Sequence, residues 1–181
     1  MSTPIKTSVP TATGTWQGNG IIYKEYSEAT QREIGATRGD IKFSDDREFK
    51  HIDFNGQYGM VEGNRRITKS QPMLTFGLLE LTSTNFNDCF AGLSVSDAGD
   101  YHEITDDLII AAGDYHENIT WAGVRDDDKY ALIQLLNVLG DGKIEFNIKA
   151  HEDIVLDVQY TAHYAKDAMD SPPWRIRLEN Q

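Results

Sequence analysis

The chain has 181 residues, 39% of them hydrophobic and 25% charged, a composition that supports a globular domain with a real core and excludes a disordered chain. A formal charge of −12, from 29 acidic and 17 basic residues, argues against wrapping nucleic acid through clustered Lys and Arg. The single Cys89 excludes an internal disulfide and a cysteine-based zinc site, and the longest apolar runs, 108–112 and 132–136, are far too short to cross a bilayer.

In chain order, residues 1–19 carry Pro4, Pro10, Gly14 and Gly18 with little periodicity and read as an N-terminal arm. Met1–Gly14 lacks the basic start and continuous apolar middle of a signal peptide, so synthesis in a cytoplasm is expected. Strands are expected at 20–26, 33–38, 40–43 and 48–54. Asn55-Gly56 tolerates positive φ and should end the last of these abruptly. Residues 57–72, rich in glycine and charge, are expected to form a long loop, and loops of that length usually have a job.

A strand follows at 73–81, then a helix over 84–93. Phe86, Cys89, Phe90 and Leu93 fall at i, i+3, i+4 and i+7 on one stripe, with Ser83 or Thr84 as the cap. On that stripe Cys89 reads as a small core residue. Strands are expected again at 117–125 and 129–139, the second evenly apolar. Gly140-Asp141-Gly142 points to a hairpin turn into 143–150, where Ile144, Phe146 and Ile148 alternate with Lys143, Glu145, Asn147 and Lys149. The same period of two runs from Asp153 to Tyr164, with Ile154, Leu156, Val158, Tyr160, Ala162 and Tyr164 on one side. Residues 165–181 complete the chain as a C-terminal arm, leaving 20–164 as one domain. The fold class is mainly β: a sandwich or barrel of antiparallel strands with one short helix.

Catalytic patterns are missing. His102-Glu103 and His116-Glu117 are adjacent pairs, and neighbouring strand residues point to opposite faces, so neither pair converges on one metal. Asp106-Asp107 and Asp126-Asp127-Asp128 fit solvated strand ends better than a paired-carboxylate site. No phosphate-binding glycine loop, nucleophile elbow or HExxH motif occurs, and neither enzyme activity nor a cofactor is expected.

Charge patterning is more informative. Asp97, Asp100, Glu103, Asp106, Asp107, Asp114 and Glu117 fall in one stretch without Lys or Arg, whereas Arg65, Arg66 and Lys69 crowd the end of the expected loop. Either these are two separately solvated patches, or the basic loop of one subunit docks on the acidic segment of another and sets register.

Several words of the sequence, in order, resemble the tail tube (major tail) proteins of long-tailed bacteriophages. They are Gly35-Ala36-Thr37-Arg38-Gly39, Arg47 through Gly56, Gly63-Asn64-Arg65-Arg66-Ile67-Thr68, Leu78-Leu79-Glu80-Leu81-Thr82 with the helix at Asn85, the strands 115–124 and 130–138, and Thr161-Ala162-His163-Tyr164 with Pro173-Trp174 beyond. The resemblance implies a β-sandwich virion subunit, made in a bacterial host, that forms hexameric rings stacked into a hollow tube and conducts DNA. Its partners would be its own copies, with tape-measure, terminator and baseplate proteins, and DNA passing without sticking. The long loop and the N-terminal arm would bridge rings. Glu145, Asp153 and Asp157 are candidates for the lumen lining, where acids repel phosphate. Two other readings share the pattern: an inner-tube subunit of a contractile injection or type VI-like secretion system, and a carbohydrate-binding β-sandwich, given Trp16, Trp121 and Trp174.

Overall fold

The computed structural model describes residues 16–56, 58–125 and 129–179. The N-terminal arm up to residue 15 and the Asp126-Asp127-Asp128 run lie outside the described residues. Ten strands and one helix follow in order: β1 Trp16–Lys24, β2 Arg32–Glu33, β3 Thr37–His51, β4 Arg65–Leu78, α1 Ser83–Cys89, β5 Leu93–Asp97, β6 His102–Asp106, β7 His116–Arg125, β8 Tyr130–Gly140, β9 Leu156–Ala162 and β10 Trp174–Leu178. A short 3-10 turn, Ala112–Asp114, precedes β7.

All pairings are antiparallel. The main sheet has the order β2-β1-β7-β8-β9-β4-β3, with β10 also paired to β8, and β5–β6 form a separate ribbon. The result is a mainly-β, sandwich-like fold that does not close into a barrel. Inward residues of both limbs meet in one core: Ile22, Ile119, Trp121, Ala131 and Leu135 from one, Leu74, Phe76, Leu78, Leu156, Val158 and Tyr160 from the other. Period-two alternation built this arrangement, since the even-numbered residues are buried in β4 from Pro72 onward and throughout β9, with Gly77 and Thr161 the only odd-numbered residues of those stretches buried too.

The corner between the limbs is Asn137. It sits in β8 at φ 50°, a left-handed conformation that Asn tolerates better than most residues. Before it, residues 131–135 of β8 pair with β10; after it, residues 138–140 pair with β9. Asn137 Nδ2 also donates to the His163 carbonyl at 3.4 Å, and the His163 amide donates back to the Asn137 carbonyl at 3.0 Å. Beyond Tyr130, β8 is buried or half-buried on both faces, which explains its even apolarity in the sequence.

Several expected elements take different forms. The strands expected at 40–43 and 48–54 are one continuous strand, β3, with a bulge between Arg38 and Lys42. β4 begins at Arg65, so the expected loop contracts to 52–64, and Arg65, Arg66 and Lys69 lie on a strand. In that hairpin Gly56 does adopt a positive φ, 89°. The helix ends at Cys89 because Phe90 caps it in an extended conformation, and its N-cap is Thr82, whose hydroxyl accepts the Asn85 amide at 3.1 Å. Residues 143–150 join no ladder, so Gly140-Asp141-Gly142 is not a hairpin turn. Finally, the segment expected as a C-terminal arm contributes β10 to the main sheet, and Trp16–Asn19 belong to β1.

Candidate assembly surfaces

One polar cluster is buried. α1 presents its apolar stripe to the core, with Cys89 and Phe90 inside, but it also buries Asn85 and Asp88. The Asp88 carboxylate accepts from Lys24 Nζ at 2.9 Å and forms an ion pair with Arg32, whose other nitrogen donates to Asn85 Oδ1 at 2.7 Å. Burial raises the Asp88 pKa, but the hydrogen bonds from Lys24 and Arg32 outweigh it and hold the carboxyl below its usual range. The backbone carbonyl of Asp88 accepts from His116 Nε2 at 2.7 Å and from the Tyr160 hydroxyl at 3.1 Å. Burial lowers the His116 pKa, keeping the ring neutral, and raises the Cys89 thiol to about 11. A buried thiol with so high a pKa is a packing residue and a poor nucleophile. The cluster ties α1 to β1, β2, β7 and β9.

His116 is thus in the core while Glu117 is exposed, the opposite-face arrangement expected of neighbours on a strand. Glu103 and His102 lie on β6, part of the outlying ribbon. Among the described residues, no group of three or more His, Cys, Asp or Glu side chains gathers as a metal site.

The longest exposed feature is the β3–β4 hairpin. β4 pairs with β9 only over 73–78, whereas β3 pairs with β4 from residue 37 to 51. Residues 45–51 and 65–72 therefore run beyond the sheet as a two-stranded arm. Phe49 and Ile67 are exposed on it, and Phe54, Tyr58, Met60 and Val61 are exposed around its tip. The sequence-singled cations sit on this arm: Arg65 lies over the Phe49 ring at 4.3 Å, and Lys69 pairs within the chain with Glu48 and Asp46 at 3.4 and 3.6 Å. An open groove of about 610 Å³ separates the base of the arm, at Ile67–Ser70, from the segment carrying Tyr164, Met169 and Pro172.

Away from the arm stands the β5–β6 ribbon. Asp97, Asp100, Glu103 and Asp106 are all exposed on it, and Asp107 follows it directly. Asp97 and Asp106 accept the amides of Gly99 and Leu108, at 3.0 and 2.9 Å, which closes the two ends of the ribbon. Directly after it come Leu108, Ile109 and Ile110, all exposed; Leu108 is 86% accessible and held at φ 56°. Leu108, Ile109 and Ile110 thus form an exposed apolar run beside the acidic open end of the ribbon.

The three lumen candidates, scattered in sequence, come together on the outer face of β3, β4 and β9. Asp153 pairs with Arg38 at 2.9 Å. Glu145 and Asp157 line, with Arg38, a groove of about 460 Å³ over Thr75 and Gly77. Of the tryptophans with described side chains, Trp121 lies in the core and Trp174 lines the groove at the base of the arm. Trp121 is buried and lies across Gly20 and Gly123, and Trp174 is packed on Phe43 at 5.3 Å with Arg47 over its ring at 5.6 Å.

No family model matches this chain, and no curated protein matches it. Among solved structures, it is similar to a chain of the anti-feeding prophage baseplate, determined by cryo-electron microscopy with six-fold symmetry. The identity is 10% and the TM-score 0.44, over 98% of this chain and 97% of that one.

Proposed function

We propose that this protein is a structural subunit of a phage-tail-like assembly, built to join copies of itself into stacked rings, as its sequence resemblance to tail tube proteins implies. The observation that carries the reading is the β3–β4 arm. It runs beyond its sheet and shows Phe49, Ile67, Phe54, Tyr58, Met60 and Val61 to solvent. Apolar exposure on that scale is favourable only when another surface covers it. In this reading the arm contacts the next ring, and Arg65 and Arg66 face the acidic ribbon of Asp97, Asp100, Glu103, Asp106 and Asp107, at whose open end Leu108–Ile110 follow. Tape-measure, terminator and baseplate proteins would meet the ends of such a tube. The acids grouped around Arg38 would line the channel, where they deny DNA a binding site over the roughly 8 Å that salt allows.

The contact is tested by replacing Arg65, Arg66 and Lys69 together with Glu. Exposed ion pairs are worth only about 0–1 kcal/mol each, so the effect depends on repetition around a ring. Soluble, folded protein that no longer forms long tubes is the expected outcome. Tubes of normal length would remove the arm from this role.

A further inference from the structure

Residues 143–149 have the pattern of a strand and, among the described residues, no strand partner. Lys143, Glu145, Asn147 and Lys149 alternate with Ile144, Phe146 and Ile148, yet the segment joins no ladder, and Ile148 is 75% exposed. The β8–β9 ladder reaches only to the Asp141 amide, which donates to the Gln159 carbonyl at 3.2 Å. Beyond it, the groove lined by Lys143 and Glu145 separates the segment from β9 and β4. Within the chain it is held by Phe146, stacked on Phe86 at 5.9 Å with the rings nearly parallel, and by ion pairs of Lys143 with Glu145 and of Lys149 with Glu152. A period of two has no use off a sheet, so half of this signal is unspent in the isolated chain.

The same chain has an open edge to receive it. β3 ends the sheet, pairing only with β4 among the described residues. Ile41 and Phe43 pack against the core, while Lys42, Asp40 and Asp46 point outward. Charge then selects a register. Lys143 and Lys149 have the same spacing as Asp40 and Asp46, so an antiparallel alignment sets Lys143 beside Asp46 and Lys149 beside Asp40. That alignment puts Phe146 beside Phe43 and Ile148 beside Ile41, with every apolar residue on the core side and no like charges opposed. The bulge at 39–41 bends the edge, so regular ladder bonding is argued for 42–46 against 143–147.

We infer that residues 143–149 form a β-strand on the outer edge of β3 in a neighbouring copy of this chain, antiparallel, with Phe146 beside Phe43. Because donor and acceptor differ, the joint is head-to-tail and closes into a ring when the rotation permits. It also covers an edge that would otherwise template aggregation. The inference rests on the subunit reading above and specifies its lateral contact.

Two full-length variants test it, Ser44→Cys and Glu145→Cys, which the register sets opposite each other. Native Cys89 is buried and does not compete. Directly opposed residues on antiparallel strands stand about 4.5–5.5 Å apart, within disulfide reach. Mixed and mildly oxidised, the two should give a covalent dimer that neither gives alone, and the double variant should give covalent rings or ladders. Ile148→Asp, at an exposed position, should fold normally and lose assembly. Microscopy of the same samples separates the two levels. Rings or tubes without a 44–145 cross-link overturn the strand register and leave the subunit reading standing, as does a cross-link confined within single chains. Absence of any assembled particle counts against both.

Discussion

Asp88 sits on a helix whose sequence advertises only its apolar stripe, yet this carboxylate and its backbone carbonyl hold four side chains, one from each of four strands. Its partners Lys24 and Arg32 lie 64 and 56 positions away, a distance no local pattern spans. Cys89 was legible because burial follows from helical periodicity; the ion pairs beside it were not, because a polar residue next to a stripe ordinarily faces water. Stability should fall with acid in two stages. His116 has a folded pKa below its usual value of about 6.5, so the unfolded chain takes this proton first and stability declines as pH drops below that value. Asp88 is also depressed, so its contribution is complete above the ordinary carboxylate range and is lost as pH falls through it. Urea unfolding from pH 8 to 3 should show His116→Gln flattening the upper stage. Asp88→Asn should remove the lower one and cost on the order of 3 kcal/mol at neutral pH, since it strands two cations. Wild-type and variant curves that run parallel throughout would contradict this assignment.

At the scale of elements, strands buried on one face or both were the readable ones. β7, β8, β9 and the core half of β4 appear close to where their periodicity puts them, because burial in a core is what fixes register. Alternation alone does not name a partner, which is why 143–150 looked like half of a hairpin. The β4 side of the arm was hidden for the opposite reason: residues 65–69 are exposed on both faces, so their charged sequence reads as part of a loop, while the β3 side reads as strand. Why β8 and α1 lock together is visible at Gly140. A Cβ there would stand 2.2 Å from the Cys89 carbonyl oxygen, and the Gly140 carbonyl accepts the Ala91 amide at 2.8 Å. Gly140→Ala is expected to cost about 3 kcal/mol, since the obstruction is backbone. Gly39→Ala, at φ 85° with nothing within 4 Å, should cost only about 1 kcal/mol of backbone strain. Chemical denaturation of both variants checks the contrast, and equal losses would mean that the helix end yields.

For the molecule as a whole, the notable property is how much it leaves unfinished. Among the described residues, an arm stands beyond its sheet, an apolar tripeptide follows an acidic ribbon, one sheet edge is open, and a strand-patterned segment has no ladder. The class of fold was readable from composition and turns, and the charge of −12 pointed away from nucleic-acid binding. The convergence of Glu145, Asp153 and Asp157 around Arg38 was not readable, because it depends on how the connection between β8 and β9 crosses the outer face. The most direct measurement is electron microscopy of the purified full-length protein, carried to a reconstruction where particles allow. Rings or hollow filaments, with the Asp157 face toward the channel and the β3–β4 arm reaching the next layer, are what this account predicts. A population that stays monomeric at every concentration reached, with the arm and the β3 edge open to solvent, would contradict it.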